Sequence, residues 1–344
     1  MEKIIRAMQE LTTRRESFAL ATVISRNGSA PRSAGAKMLI RADSSIVGTV
    51  GGGSLEANVQ RLAHEVIENH LAVIREFSFS GKDASTMDSI CGGQVEILVE
   101  WVDGTEPLTQ SIVADLDQVL TQHQKAWLVT VCPTEKATTT HVLVLNDSKV
   151  IGALPANLPQ ETIHSVRSLE KITLDQQTVI VEPVNISGTA YIFGAGHVSR
   201  SLAAFIKAVG FWTVVIDDRP EYANRERFPE VDDILVPNSL KDIMGSLKVD
   251  PYSFIIIVTR GHLDDQLILE LALKTDAGYI GMIGSRRKCE LIFQDLYKKG
   301  YQEKDIMRVH APIGLPISAE TPEEIGISIT AEMIQERARL FAAK

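Results

Sequence analysis

Residues 191–200, with the sequence YIFGAGHVSR, join a short apolar run to closely spaced glycines and the start of a helix-like stretch. Gly194 would let the chain turn sharply out of a strand at Ala190–Phe193, and Gly196 would let backbone N–H groups approach a pyrophosphate. The segment VVIDD follows and places Asp217 21 residues beyond Gly196, a spacing typical of an acid that binds ribose hydroxyls. The order of strand, turn, helix, strand and acid therefore predicts a Rossmann-like unit.

Several details of this motif stay open. Ser199 replaces the third glycine of the usual GxGxxG pattern, and it is small enough to be tolerated where the helix packs on the strand. Either Asp217 or Asp218 could bind the ribose. The candidate residues near the phosphates are Gly194, Gly196 and His197. The fold alone leaves open whether the ligand is NAD(P), another nucleotide or the phosphate of another cofactor, because one fold hosts many ligands.

A length of 344 residues predicts two domains. We expect an α/β protein in which an α+β N-terminal domain, residues 1–186 with a further division possible near 103–107, precedes a Rossmann-like C-terminal domain, residues 187–344. Strand-like runs that alternate with helical stretches in the second half predict a doubly wound parallel sheet. These runs are Ala190–Phe193, Thr213–Ile216, Asp233–Val236, Phe254–Val258 and Tyr279–Ile283.

Charge and composition narrow the functional class. A net charge of −9 and a pI near 5.5 argue against nucleic-acid binding. No leader-like segment and no apolar run of membrane-spanning length are visible, so neither a membrane nor export is expected. The three cysteines form no CxxC pair, which argues against a disulfide framework or iron–sulfur clusters and favours the cytoplasm.

Two glycine-rich segments near the N-terminus are typical of anion sites. Arg32 lies in GSAPRSAG, and the triplet Gly51, Gly52 and Gly53 precedes a helix for which Ser54 is the expected N-cap. Exposed N–H groups, a helix N-terminus and a guanidinium together suit a phosphate. The alternative is a pair of tight turns with a solvated surface charge.

Cys91 is the cysteine most suggestive of chemistry. Gly92 and Gly93 follow it and would leave its sulfur unshielded, so that it could contact a soft metal. The alternative is a small buried apolar residue. We expect that structural role for Cys132 and Cys289.

Polar loops in the second half are expected at the carboxyl edge of the sheet. TRGHLDD places Arg260, His262 and Asp264 just after one strand, where open α/β sheets bind ligands. Each residue alone is more often structural than functional, but their shared position at one sheet edge favours a site.

The segments GMIGSRRK and HAPIGLPI follow later in the same half. In the first, Gly284 and Ser285 could bind an anion beside Arg286. In the second, His310 is expected in a loop marked by proline and glycine.

Taken together, these motifs resemble the XdhC/CoxI family, the accessory factors of xanthine dehydrogenase and related molybdenum hydroxylases. The segments that carry the resemblance are GSAPRSAGAKMLI, GTVGGGSLE, Cys-Gly-Gly at Cys91, YIFGAGHV, VVIDDR, TRGHLDD, YIGMIGSRRK and PIGLPISAETPEEI. The resemblance implies a chaperone that binds molybdenum cofactor (molybdopterin), protects it while a cysteine desulfurase supplies its sulfur, and inserts it into the apo-hydroxylase. It also implies that Cys91 contacts molybdenum or its sulfur. The assignment of Arg32 to the pterin phosphate is our hypothesis.

Two other functional classes remain as alternatives. One is a stand-alone NAD(P)-dependent oxidoreductase with His262 and Asp264 as an acid–base pair, although no tyrosine begins a Tyr-x-x-x-Lys pair. The other is a docking scaffold without a small ligand. The chain is too short and too poor in cysteine to be a xanthine dehydrogenase itself, and the sequence leaves open whether it forms a homodimer.

Overall fold

The structure, a computed structural model, describes residues 1–28, 32–78, 93–122, 124–134, 137–184 and 188–342. The chain forms two compact units, Met1–Asn185 and Ile186–Lys344. No helix within the described ranges is long and apolar enough to cross a lipid bilayer.

The first unit begins with an antiparallel sheet of strand order β3-β2-β1-β5-β4. Helix α2 covers one face of this sheet because Leu55, Val59, Leu62 and Val66 recur at helical spacing, as the sequence predicts, and all four are buried. The elements are α1 Glu2–Thr13, β1 Phe18–Asn27, β2 Lys37–Ile40, β3 Ile46–Gly48, α2 Gly53–Asn69, β4 Ala72–Ser78 and β5 Gln94–Val102.

A second antiparallel sheet, of order β8-β7-β6-β10-β9, completes this unit. Ile24 and Leu98 of the first sheet pack with Cys132 and Ile180 of the second, so the two sheets share an apolar contact. Its elements are α3 Pro107–Thr121, β6 Ala126–Cys132, β7 Thr140–Leu145, β8 Val150–Ile151, α4 Gln160–Ser165, β9 Glu170–Leu174 and β10 Gln177–Val184.

The second unit is a parallel sheet with helices on both faces, as predicted. Helices α5 and α9 contribute to the core on one face, and α6 and α7 to the core on the other. The elements are β11 Thr189–Phe193, α5 His197–Ala208, β12 Trp212–Ile216, β13 Asp233–Leu235, β14 Ser253–Ile257, α6 His262–Ala272, β15 Tyr279–Met282, α7 Arg286–Lys298, α8 Glu303–Ile306, β16 Val309–His310 and α9 Pro322–Ala342.

The strand order of this sheet is β13-β12-β11-β14-β15-β16, and all neighbouring strands are parallel. The order reverses between β11 and β14, so these strands border the crevice in which Rossmann folds bind ligands. The structure therefore confirms the predicted fold class.

Not every crossover is helical. Turns join β12 to β13, and a single 3₁₀ turn, Ile243–Ser246, lies between β13 and β14, where the sequence analysis expected helical stretches. Pro220 and Pro229 lack the backbone N–H that a continuous helix requires between β12 and β13. The sequence TPEE predicts a capping box with Thr321 as the N-cap of α9, and the structure has it: Glu324 N donates to Thr321 Oγ1, and the Glu324 carboxylate accepts from Thr321 N.

Candidate functional site

The two glycines after β11 have different physical roles. Gly194 has φ 108°, and a side chain there would overlap the carbonyl of Val258, so only glycine fits. Gly196 has φ −76°, and no described heavy atom lies within 4 Å of where its Cβ would be. Gly196 is also the N-cap of α5 and has no side chain to accept hydrogen bonds from the first turn. The turn therefore leaves room for an anion beside the helix N-terminus, with His197 exposed in the first turn.

Asp217 is held by the protein itself. Its Oδ2 accepts from Ala195 N and Arg219 Nη2, both at 2.8 Å, and its Oδ1 accepts from Arg219 Nε at 2.8 Å and Arg219 N at 3.1 Å. Burial alone would raise the pKa of Asp217, but these hydrogen bonds outweigh it and lower the pKa below its ordinary value. A carboxylate has about four acceptor sites, so Asp217 is saturated.

Asp218, by contrast, is accessible. Its side chain is 31% exposed, against 5% for Asp217. Its oxygens lie 3.9 Å from Arg219 Nε and 3.6 Å from Arg260 Nη2, which are ion-pair distances but too long for hydrogen bonds. The pair with Arg260 joins the carboxyl ends of β12 and β14.

The loop after β14 contains the predicted residues Arg260, His262 and Asp264. Arg260 Nε lies 3.4 Å from Asp264 Oδ2, and His262 is exposed at the start of α6. No hydrogen bond joins His262 to Asp264 among the described contacts. The residue that organises this loop is Asp265, which sequence reasoning missed: its buried Oδ1 accepts from Thr259 N at 3.1 Å and Thr259 Oγ1 at 2.6 Å.

The loop after β15 is fixed at the start of α7. Ser285 is the N-cap, and its hydroxyl accepts from Lys288 N at 3.3 Å. Lys288 Nζ in turn donates to Asp265 Oδ2. A side chain at Gly284 would lie 3.1 Å from Lys288 Cδ, while Arg286 is exposed. Among these predicted residues, Arg286 thus has a side chain directed to solvent, and Ser285 has a capping role.

His310 ends the short strand β16 instead of lying in the expected loop. Its Nδ1 lies 3.3 Å from Glu332 Oε1, and Glu332 Oε2 accepts from Tyr279 Oη at 2.6 Å and Gly314 N at 2.8 Å. Burial alone would raise the pKa of Glu332, but these contacts lower it. The loop prediction was wrong because pairing with β15 extends the chain at His310.

In the first unit, Arg32 is exposed and lines a cavity of about 420 Å³. Lys37, Gly48 and Thr49 line the same cavity. Lys37 Nζ forms an ion pair of 2.8 Å with Glu182 Oε2. The cavity lies within the volume range typical of small-molecule sites.

The carboxylate of Glu56 stabilises the turn formed by Gly51, Gly52 and Gly53. All three glycines have positive φ, at 149°, 84° and 58°. The expected N-cap at Ser54 was wrong: α2 begins at Gly53, because the Glu56 carboxylate accepts from Gly52 N at 3.0 Å and satisfies this end of the helix. Glu56 also accepts from the Thr49 hydroxyl, so this turn already holds an anion of its own.

A second buried pair lies in the first unit, between Glu100 of β5 and His141 of β7. His141 Nε2 lies 3.0 Å from Glu100 Oε2. Burial alone would lower the pKa of His141, but the Glu100 carboxylate raises it above its ordinary value. Burial alone would raise the pKa of Glu100, yet His141 and a hydrogen bond from Thr139 lower it.

A second cavity in this unit, of about 580 Å³, was not predicted from the sequence. The rings of His70 and Trp101 stack beside it with centroids 4.0 Å apart. Arg41 and Asp103 also line it.

Cys91 and Gly92 lie outside the described residues, and Gly93 is buried just before β5. Burial raises the pKa of Cys132 to about 12, and it also raises that of Cys289. Both thiols are therefore poor nucleophiles.

Within the described ranges, no group of His, Cys, Asp or Glu is arranged to hold a metal ion.

Comparison with known families matches both halves of the chain. Residues 190–333 match the model described as the XdhC Rossmann domain, and residues 11–78 match the model of the XdhC and CoxI family. The chain belongs to the XdhC/CoxI family. The family model on the second half covers the turn at Gly194 and the loops after β12, β14 and β15.

Several relatives are similar to this XdhC/CoxI protein. YqeB, an uncharacterized protein of Escherichia coli, is 26% identical over 318 residues, which cover 92% of the chain but only 43% of YqeB. A Bacillus subtilis protein, named as a probable xanthine dehydrogenase subunit, is 25% identical over 94% of both chains. The molybdenum cofactor insertion chaperone PaoD of Escherichia coli is 22% identical over 97% of this chain and 88% of PaoD.

A solved structure resembles the XdhC/CoxI chain over nearly its full length. It is the crystal structure of a protein described as a xanthine dehydrogenase from Bacillus halodurans. The two are 28% identical, with a TM-score of 0.78 and coverage of 99% of this chain and 97% of the other.

Proposed function

We propose that this protein is an accessory factor that handles molybdenum cofactor for a molybdenum hydroxylase. Membership of the XdhC/CoxI family supports this role, and so does the similarity to PaoD along nearly the whole chain. In finer terms, the protein would hold the cofactor while a cysteine desulfurase supplies sulfur, and would then insert it into the apo-hydroxylase. The hydroxylase, and not this chain, would oxidise the substrate.

The observation that carries the proposal is the cavity of about 420 Å³ that contains Arg32 and Lys37. The cofactor is a pterin with a phosphate, and a guanidinium can bind two phosphate oxygens at once. Arg32 is exposed and available for this contact, whereas the Lys37 side chain is buried and its charge is already paired with Glu182. The residues present therefore fit the phosphate end of the cofactor.

The Gly51, Gly52 and Gly53 turn has a different part in this proposal. Because Gly52 N donates to Glu56 and Gly51 N donates to Thr49 Oγ1, the turn would shape the cavity beside Thr49 instead of binding the phosphate directly. Cys91 stays the predicted contact to molybdenum, on the basis of its open Cys-Gly-Gly sequence.

The test is retention of the cofactor. Purified protein is mixed with molybdenum cofactor released from a hydroxylase, free ligand is removed, and bound molybdenum and pterin fluorescence are measured. We expect near-stoichiometric retention by the wild type and loss in Cys91→Ala. Arg32→Ala should weaken binding about tenfold to hundredfold, the effect of one charge-assisted hydrogen bond. Arg14→Ala, which removes an exposed arginine paired with Glu10, is the matched control.

Each outcome has a distinct meaning. Retention by the wild type that neither Arg32→Ala nor Cys91→Ala reduces would keep the accessory role and remove these residues from the site. No retention by the wild type would overturn the proposal.

The oxidoreductase alternative is not favoured, because His262 and Asp264 do not form the hydrogen-bonded pair that it requires among the described contacts.

A further inference from the structure

We infer that the second unit binds a nucleotide with free ribose hydroxyls, and that Asp218, not Asp217, accepts the hydrogen bonds from these hydroxyls. The inference goes beyond the accessory role proposed above, and it rests on residues of the second unit alone. It concerns the crevice beside β11 and β14, where the strand order reverses.

Two buried polar atoms near the glycine-rich turn lack a hydrogen-bond partner among the described residues. Ser199 is fully buried in the first turn of α5, and its hydroxyl has no hydrogen-bond partner among the described residues. Arg227 Nε is also buried without a partner there, although Arg227 Nη2 lies 3.3 Å from the Ala195 carbonyl. Buried polar groups are nearly always paired in native proteins, so two unpaired donors at one turn require an explanation. The open space at Gly196 allows an anion to approach this region.

Asp217, the acid at the usual ribose-binding position, is not available to bind the ribose. Asp217 accepts four hydrogen bonds, from Ala195 N and from three groups of Arg219. A ribose hydroxyl could bind to it only by displacing Arg219. Arg219 is held a second time, because its guanidinium lies 4.0 Å from the ring centroid of Tyr222. Asp217 therefore fixes the turn and the arginine.

Asp218 has the properties that Asp217 lacks. It follows β12 directly, it is 31% exposed, and its two cationic neighbours lie beyond hydrogen-bond distance. Its oxygens can therefore accept hydrogen bonds from the 2′- and 3′-hydroxyls of a ribose.

The same position disfavours a 2′-phosphate. A phosphate there would place two negative charges beside the Asp218 carboxylate. Arg219 is bound bidentately to Asp217, and Arg260 lies between Asp218 and Asp264, so neither arginine is free of a carboxylate. The charge arrangement therefore selects NAD⁺, or another nucleoside diphosphate with an unmodified ribose, over NADP⁺.

The inference is tested by titration calorimetry of the full-length protein with NAD⁺ and NADP⁺, two probes that differ only in the 2′-phosphate. We expect the wild type to bind NAD⁺ at least about tenfold more tightly than NADP⁺, the effect of roughly one well-placed charged hydrogen bond. Asp218→Asn should weaken NAD⁺ binding by a similar factor and reduce the discrimination. Glu290→Gln, an exposed acid on α7, is the control and should change neither affinity.

Three results would overturn the inference. These are equal affinity of the wild type for both probes, an Asp218→Asn variant that binds like the wild type, and no binding of either probe. The wild-type ratio needs no variant, so it stands even if a substitution prevents folding. Molybdenum retention is measured separately, and the failure of one idea can therefore be distinguished from the failure of the other.

Discussion

Lys37 of β2 and Glu182 of β10 form an ion pair of 2.8 Å between the two sheets of the first unit, and each side chain is only 7% exposed. Lys37 Nζ also donates to the Thr22 hydroxyl at 2.8 Å. Both charges have lost their water, so each depends on the other for compensation.

Removal of one charge should therefore be costly. We expect Lys37→Met to lower the free energy of unfolding by about 3–5 kcal/mol, because Glu182 would stay buried without its partner. The double variant Lys37→Met/Glu182→Leu should lose less than Lys37→Met alone. Urea denaturation measures both. The exposed pair Lys298–Asp295 supplies the control, since Lys298→Met should change stability by less than about 1 kcal/mol. Additive losses in the double variant would contradict the expected coupling.

The Glu100–His141 pair should make stability depend on pH in both directions. The pKa of His141 is raised from 6.5, so its contribution is complete below about pH 6.5 and is lost as the pH rises through the raised value. The pKa of Glu100 is lowered from 4.5, so its contribution is complete above about pH 4.5 and is lost as the pH falls through the lowered value. The pair thus stabilises most between these values.

Calorimetric melting of the wild type and His141→Gln checks this expectation. The difference in Tm should be large near about pH 5.5 and should shrink as the pH rises through the raised pKa of His141. A difference that does not change with pH would mean that the charge on His141 does not stabilise the fold.

The two glycines of the turn after β11 form a matched pair for mutation. Gly194→Ala should destabilise the protein by roughly 1–3 kcal/mol or more, because φ is 108° and the new methyl group meets the Val258 carbonyl. Gly196→Ala should cost less, at most about 1 kcal/mol, because its φ is already favourable, the space is open and only the N-cap preference for glycine over alanine is lost. Denaturant midpoints distinguish the two, and equal effects would refute the difference in roles.

The Ser199 hydroxyl should lower the free energy of unfolding of the protein when no nucleotide is bound. Its buried hydroxyl has no partner among the described residues, so we expect Ser199→Ala to raise the free energy of unfolding by about 1 kcal/mol. Ser201→Ala, at a serine that donates to Glu323 at 3.1 Å, corrects for the helix propensity of alanine. A loss of stability in Ser199→Ala would show that the hydroxyl is already satisfied.

The sequence predicts the second unit closely because its signals are local. Each predicted strand from Ala190 to Ile283 agrees with the observed strand to within one residue at each end, since apolar runs and the glycine turns mark the limits. The capping box at Thr321 is confirmed for the same reason. These features depend on residues only a few positions apart.

The remaining features depend on contacts that no local pattern contains. The pairing of Lys37 with Glu182 joins strands of different sheets, and the choice between Asp217 and Asp218 follows from the direction of the Arg219 side chain. The N-cap at Gly52 likewise depends on Glu56 turning back to its own helix end. Spacing identifies these residues as candidates, but only packing assigns their partners.

Asp265 couples the loop after β14 to the loop after β15. This carboxylate is fully buried, and it accepts from Thr259 in one loop and from Lys288 beyond the other. Neither loop can open without leaving a buried charge unpaired, so the two should unfold locally as one cooperative unit. A ligand that orders either loop would then slow amide hydrogen exchange in both, and Asp265→Asn would separate the two rates.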